Sequence, residues 1–91
     1  MTFVSSISVI NSSGKALTFH LEPWGEQIEM PAASRFMIIA ESEQSGSFEV
    51  EYGMDEVIVW AWSGSIARVF CEGKEVGDFV GLGRPVVPPI P

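Results

Sequence analysis

The chain holds little with which to do covalent chemistry. Among its 91 residues stand one cysteine, Cys71, and one histidine, His20. A single thiol cannot close an internal disulfide, which excludes the disulfide-stapled secreted scaffolds. Basic side chains are scarce as well: Lys15, Arg35, Arg68, Lys74 and Arg84 face 12 acids, for a net charge of −7. Binding a phosphate backbone needs clustered Lys and Arg, so nucleic acid is not an expected partner, nor is an anionic membrane surface. No apolar run nears the roughly 18 residues of a membrane helix. Residues 1–6 carry no basic side chain. A usual signal peptide is therefore not expected, and the expected location is the cytoplasm.

Catalytic and metal-binding signatures are missing too. The sequence has no Gly-x-Ser-x-Gly elbow, no CxxC, no HExxH and no calcium loop. No cofactor is expected and the chain is not read as an enzyme. Long helical stripes are also lacking, because Gly and Pro interrupt the chain at short intervals.

What is present is alternation. In Leu17-Thr18-Phe19-His20-Leu21-Glu22 the apolar residues take one side and the polar residues the other. Phe48-Glu49-Val50-Glu51-Tyr52 repeats the pattern with both glutamates outward. Segments 3–11, 27–30, 35–41, 56–62, 66–71 and 75–80 complete a set of about eight short strands. Between them lie Asn11-Ser12-Ser13-Gly14, Glu22-Pro23-Trp24-Gly25, Gly53-Met54-Asp55 and Glu72-Gly73-Lys74, all rich in turn formers. Connections this short favour antiparallel neighbours, since a parallel crossover takes a dozen residues or more. The fold class predicted is all-β: a small antiparallel sandwich or barrel of seven to eight strands over residues 1–80.

Leu21-Glu22-Pro23-Trp24-Gly25-Glu26, with Met30-Pro31 and the later Val59-Trp60-Ala61-Trp62, resembles a group of small all-β bacterial proteins with an LEPWGE-like turn. The likeness spans roughly residues 11–73. Where that group often has a Pro-Gly turn, this chain has Pro31-Ala32-Ala33. The resemblance implies a fold and brings no activity or ligand with it. A looser similarity is to cupredoxins, but a blue-copper centre requires two histidines and a thiolate, which one histidine cannot supply.

Each residue type with chemical potential has a structural reading beside the functional one. His20 alternates onto a polar face, where a triad would need Ser and a carboxylate converging from other strands. Cys71 shares a face with Ala67 and Val69, as a small buried hydrophobe would. Glu49 and Glu51 can approach within about 7 Å, but on a flat face rather than across a cleft. Val57-Ile58-Val59-Trp60-Ala61-Trp62 is apolar on both sides and reads as a central strand covered above and below, by the core or by a subunit contact. With Trp60 in the core, Trp60→Ala costs roughly 3–5 kcal/mol. The alternative is an aromatic platform for a small ligand or carbohydrate.

Residues 81–91 change character. Gly81-Leu82-Gly83 precedes Arg84-Pro85 rather than a helix, so it makes no phosphate cradle. The prolines that follow give two PxxP spacings and an extended tail, expected to lie against the domain or a partner. The function expected is a non-enzymatic protein-interaction or assembly module, with a homo-oligomer or a protein as partner. The alternative is small-ligand or carbohydrate binding through tryptophans. Candidate ligand or interface residues are Trp24, Trp60, Trp62, Tyr52 and His20.

Overall fold

A computed structural model describes residues 2–77. The expected tail at 81–91 and the last residues of the eighth strand lie outside the described residues. Eight strands run β1 (Phe3–Ile10), β2 (Leu17–Glu22), β3 (Glu26–Met30), β4 (Arg35–Ser42), β5 (Glu49–Tyr52), β6 (Glu56–Trp60), β7 (Ser65–Cys71) and β8 (Lys74–Val76). They form two four-stranded sheets, ordered β1-β4-β7-β8 and β3-β2-β6-β5. This is the small all-β sandwich that alternation predicted.

The strand pairing is not purely antiparallel. Five of the six pairs are, but β2 and β6 run parallel, with His20 opposite Ile58 and Glu22 opposite Trp60. Short connections impose antiparallel pairing only when consecutive strands stay in one sheet, as β2–β3, β5–β6 and β7–β8 do. The connections β1–β2, β3–β4, β4–β5 and β6–β7 cross instead from one sheet to the other, which leaves the relation of β2 to β6 free.

The inward positions make one core. Phe19, Leu21, Met30, Phe36, Ile38, Ala40, Val57, Val59, Ala67 and Val69 are buried between the sheets. Phe19 and Phe36 meet edge to face, with ring centroids 5.1 Å apart. Because side chains alternate, this inward set fixes what stands outside: Arg35, Met37, Ile39 and Glu41 on β4, and Thr18, His20 and Glu22 on β2.

One polar side chain locks an end of the sandwich. Asn11 is buried, and its Nδ2 donates to the carbonyl oxygens of Lys15, Met30 and Pro31 at 2.7, 3.1 and 3.0 Å. Its Oδ1 accepts from the Ser13 amide and hydroxyl at 3.0 and 2.7 Å. The β1–β2 loop and the β3–β4 turn are thereby tied to one residue.

Candidate functional site

The five candidate residues do not converge. Trp24 sits in the β2–β3 turn, half-buried against the core. Trp62 follows β6 in a loop and also packs on the core, edge to face with Phe48 at a centroid distance of 5.3 Å. Its Nε1 donates to the Gln44 carbonyl at 3.3 Å. Tyr52 ends β5, opposite Val57, and is 73% exposed where the edge strand overhangs the sandwich. Its register places it on the other face of the sheet from Trp60.

His20 and Trp60 do share a face, the outer side of β3-β2-β6-β5. The core reading holds for Val57 and Val59 and fails for Trp60, which points outward and is 38% exposed. Strict alternation puts Trp60 opposite in sense to Val59, so the strand is apolar on both sides while only one side is covered. Its indole Nε1 donates to Glu51 Oε1 at 2.6 Å. His20 Nε2 lies 3.3 Å from Glu56 Oε2, without hydrogen-bond geometry.

Glutamates dominate this outer face: Glu22, Glu29, Glu49, Glu51 and Glu56 all stand on it, and no Lys or Arg lies in its four strands. Glu49 and Glu51 flank Trp60 and Ile58 on open sheet, both exposed. Among the described residues no three His, Cys, Asp or Glu side chains are grouped to hold a metal ion. Cys71 is a half-buried free thiol packed on the core. No helix among the described residues is long and apolar enough to cross a membrane.

The outer face of the other sheet is different in kind. Across β1, β4 and β7 the outward residues form rows: Val4–Glu41–Ile66, Ser6–Ile39–Arg68, Ser8–Met37–Phe70 and Ile10–Arg35. Val4, Ile10 and Met37 are 64%, 54% and 41% exposed. Ile39, Ile66 and Phe70 are half-buried among them. Open hollows mark the surface, one of about 280 Å³ lined by Ile39, Glu41, Ile66, Arg68 and Phe70, another of about 440 Å³ lined by Arg35, Met37, Phe70 and Glu72 among others. Arg35 and Arg68 stand against Glu41, Glu72 and Glu75, so this face carries little net charge on a strongly acidic chain.

Sequence reasoning missed this face. Its signal was present in Arg35-Phe36-Met37-Ile38-Ile39-Ala40-Glu41, where Phe36, Ile38 and Ala40 claim the core and leave Met37 and Ile39 outside between two charges. A continuous apolar run hides that division until the buried parity is known. Compared with protein families, curated proteins and solved structures, the chain matches none.

Proposed function

We propose that the chain is a non-enzymatic interaction or assembly module whose contact surface is the outer face of β1, β4 and β7. The observation that supports this is the strip of Met37, Ile39, Ile66 and Phe70, with Val4 and Ile10 beside it, on the outside of a sandwich whose inside is already filled. Apolar side chains gathered on one face and rimmed by charge mark contact surfaces more often than solvent-facing ones. The partner on this reading is protein, and the acidic, single-thiol composition suits a cytoplasmic setting.

A photo-crosslinking experiment tests the reading. A benzophenone amino acid replaces Met37 in one chain and Glu29, on the acidic face, in another. After irradiation in the cells that make the protein, position 37 should give discrete protein adducts and position 29 should not. Equal labelling at both positions, or none at 37, overturns the reading.

Exposure of Trp60 favours a second reading, ligand binding by its ring. Titration with oligosaccharides would then change the tryptophan emission, and Trp60→Phe would abolish the change.

A further inference from the structure

The outward residues of β4 read, in order, as a cation, two apolar groups and an anion: Arg35, Met37, Ile39 and Glu41. The order is symmetric in size and antisymmetric in charge about Ile38. Laid antiparallel on a copy of itself, the row sets cation on anion, apolar on apolar, and anion on cation. A twofold interface demands this property, since each contact must occur twice with the roles exchanged.

The flanking strand β1 obeys the same operation throughout, and β7 does so in its two middle rows. On β1 the outward residues are Val4, Ser6, Ser8 and Ile10, large at both ends and small in the middle, so that Val4 meets Ile10 and Ser6 meets Ser8. On β7, Arg68 and Phe70 occupy the two middle rows, so that each Arg68 lies over the ring of the other copy's Phe70, a cation–π arrangement. We propose that the outer face of β1-β4-β7 docks a second copy of this chain across a twofold axis crossing β4 at Ile38, with Arg35 of each copy paired to Glu41 of the other. This deepens the interaction reading above and rests on it, by naming the partner.

Charge selects this face over the opposite one. Stacking two β3-β2-β6-β5 faces would bring Glu22, Glu29, Glu49, Glu51 and Glu56 against their own kind. In the proposed dimer the two acidic faces point away from each other. With sheets about 10 Å apart they lie roughly 30 Å from one another, well beyond a Debye length of about 8 Å. The area is that of a weak, transient contact. An eight-residue strand is about 26 Å long and three strands span about 14 Å, so each copy covers roughly 370 Å² in projection. Two copies reach about 740 Å², below the roughly 1,000 Å² of a stable interface, so the pair forms only as the concentration rises.

The test is a charge exchange followed by sedimentation velocity on the full chain from about 1 to 300 µM. The parent should shift from one copy of 9.9 kDa to two as concentration rises. Arg35→Glu sets carboxylate against carboxylate at both symmetric contacts, and Glu41→Arg sets guanidinium against guanidinium. Each variant alone should dissociate at least a hundredfold more readily while its circular dichroism stays that of the parent. Mixed one to one, the two variants should restore a dimer containing one copy of each, because each supplies the charge the other lost. Self-pairing is overturned if the parent stays monomeric at 300 µM, if either variant alone dimerises as the parent does, or if the mixture stays monomeric. A monomeric parent that still gives adducts to a different protein at position 37 ends the self-pairing and leaves the interaction reading standing. Absence of any adduct at 37 ends that reading itself.

Discussion

Replacing Asn11 by Asp separates hydrogen bonding from packing, because the two side chains have nearly the same shape. In the parent the Asn11 amide nitrogen donates to three carbonyl oxygens, from Lys15, Met30 and Pro31, at 2.7–3.1 Å. Asp keeps the oxygen that accepts from Ser13 and loses both donor hydrogens. Three carbonyl oxygens then face a carboxylate in a buried site. Each of the three lost bonds is worth about 1 kcal/mol net. A total of about 3 kcal/mol is a large share of the roughly 5–10 that a domain of this size holds. At about 4–8 °C per kcal/mol, Asn11→Asp should melt some 12–24 °C below the parent at neutral pH, read by circular dichroism. Lowering the pH protonates the introduced carboxyl and returns one donor, so the gap should narrow as pH falls, since the folded site favours the protonated form. A variant melting within about 3 °C of the parent at neutral pH would refute the role given to Asn11.

The two tryptophans of the 57–62 segment should behave differently under urea. Trp60→Ala, on an outer face, should cost roughly 1–2 kcal/mol, whereas Trp62→Ala, on Phe48 and the core, should cost roughly 3 or more, and the reverse order would refute the assignment. Gly46 lies against the Trp62 indole so closely that an added Cβ would stand 2.3–2.5 Å from three of its carbons. Gly46→Ala should therefore displace the ring, lower stability by roughly 1–3 kcal/mol and shift the tryptophan emission; an unchanged spectrum and melting point would show the contact to be slack. The β7–β8 hairpin turns on Glu72 and Gly73, both left-handed at φ 53° and 79°, the pattern of a two-residue type I′ turn. Asn adopts that conformation more readily than Glu, so Glu72→Asn should raise stability by roughly 0.5–1 kcal/mol, and a lower melting temperature would contradict the turn.

Much of the sandwich was legible because a two-residue period is a local property. Leu17–Glu22 reads as a strand to the residue, since each apolar side chain there has a polar neighbour to mark the other face. The 57–62 segment defeated the same reasoning twice. With Val57 and Ile58 equally apolar, nothing local says which parity meets the core, and Trp60 went to the wrong side. Trp62 shares the parity of Trp60, yet the strand stops at Trp60 and the loop carries Trp62 back onto the core. The parallel pairing of β2 with β6 was out of reach for another reason. It depends on which connections cross between sheets, and a short loop of polar residues serves either purpose. At Ala33 a residue that disfavours the left-handed region holds φ at 63°, with its amide bound to the Asn11 carbonyl at 3.0 Å. Tertiary contacts decided that turn, and no residue within it signals the conformation.

The distribution of charge links these structural points to the proposed contact. Unpaired sheet edges invite further strands, and proteins blunt them with charge or brevity. Here the edge strand β3 carries Glu26 and Glu29, β5 carries Glu49 and Glu51, and β8 has three residues. β1 is the exception among the described edges: eight residues long, without a charged side chain, and largely exposed. It borders the same face that carries Met37, Ile39 and Phe70. A second copy docked across β4 would lay β1 over its counterpart and cover Val4 and Ile10, the most exposed apolar side chains of that strand. The least guarded edge and the least charged face are thus one continuous surface. On a chain of net charge −7 that surface is where a contact meets least electrostatic opposition, while the five outward glutamates across the sandwich keep the opposite face from stacking.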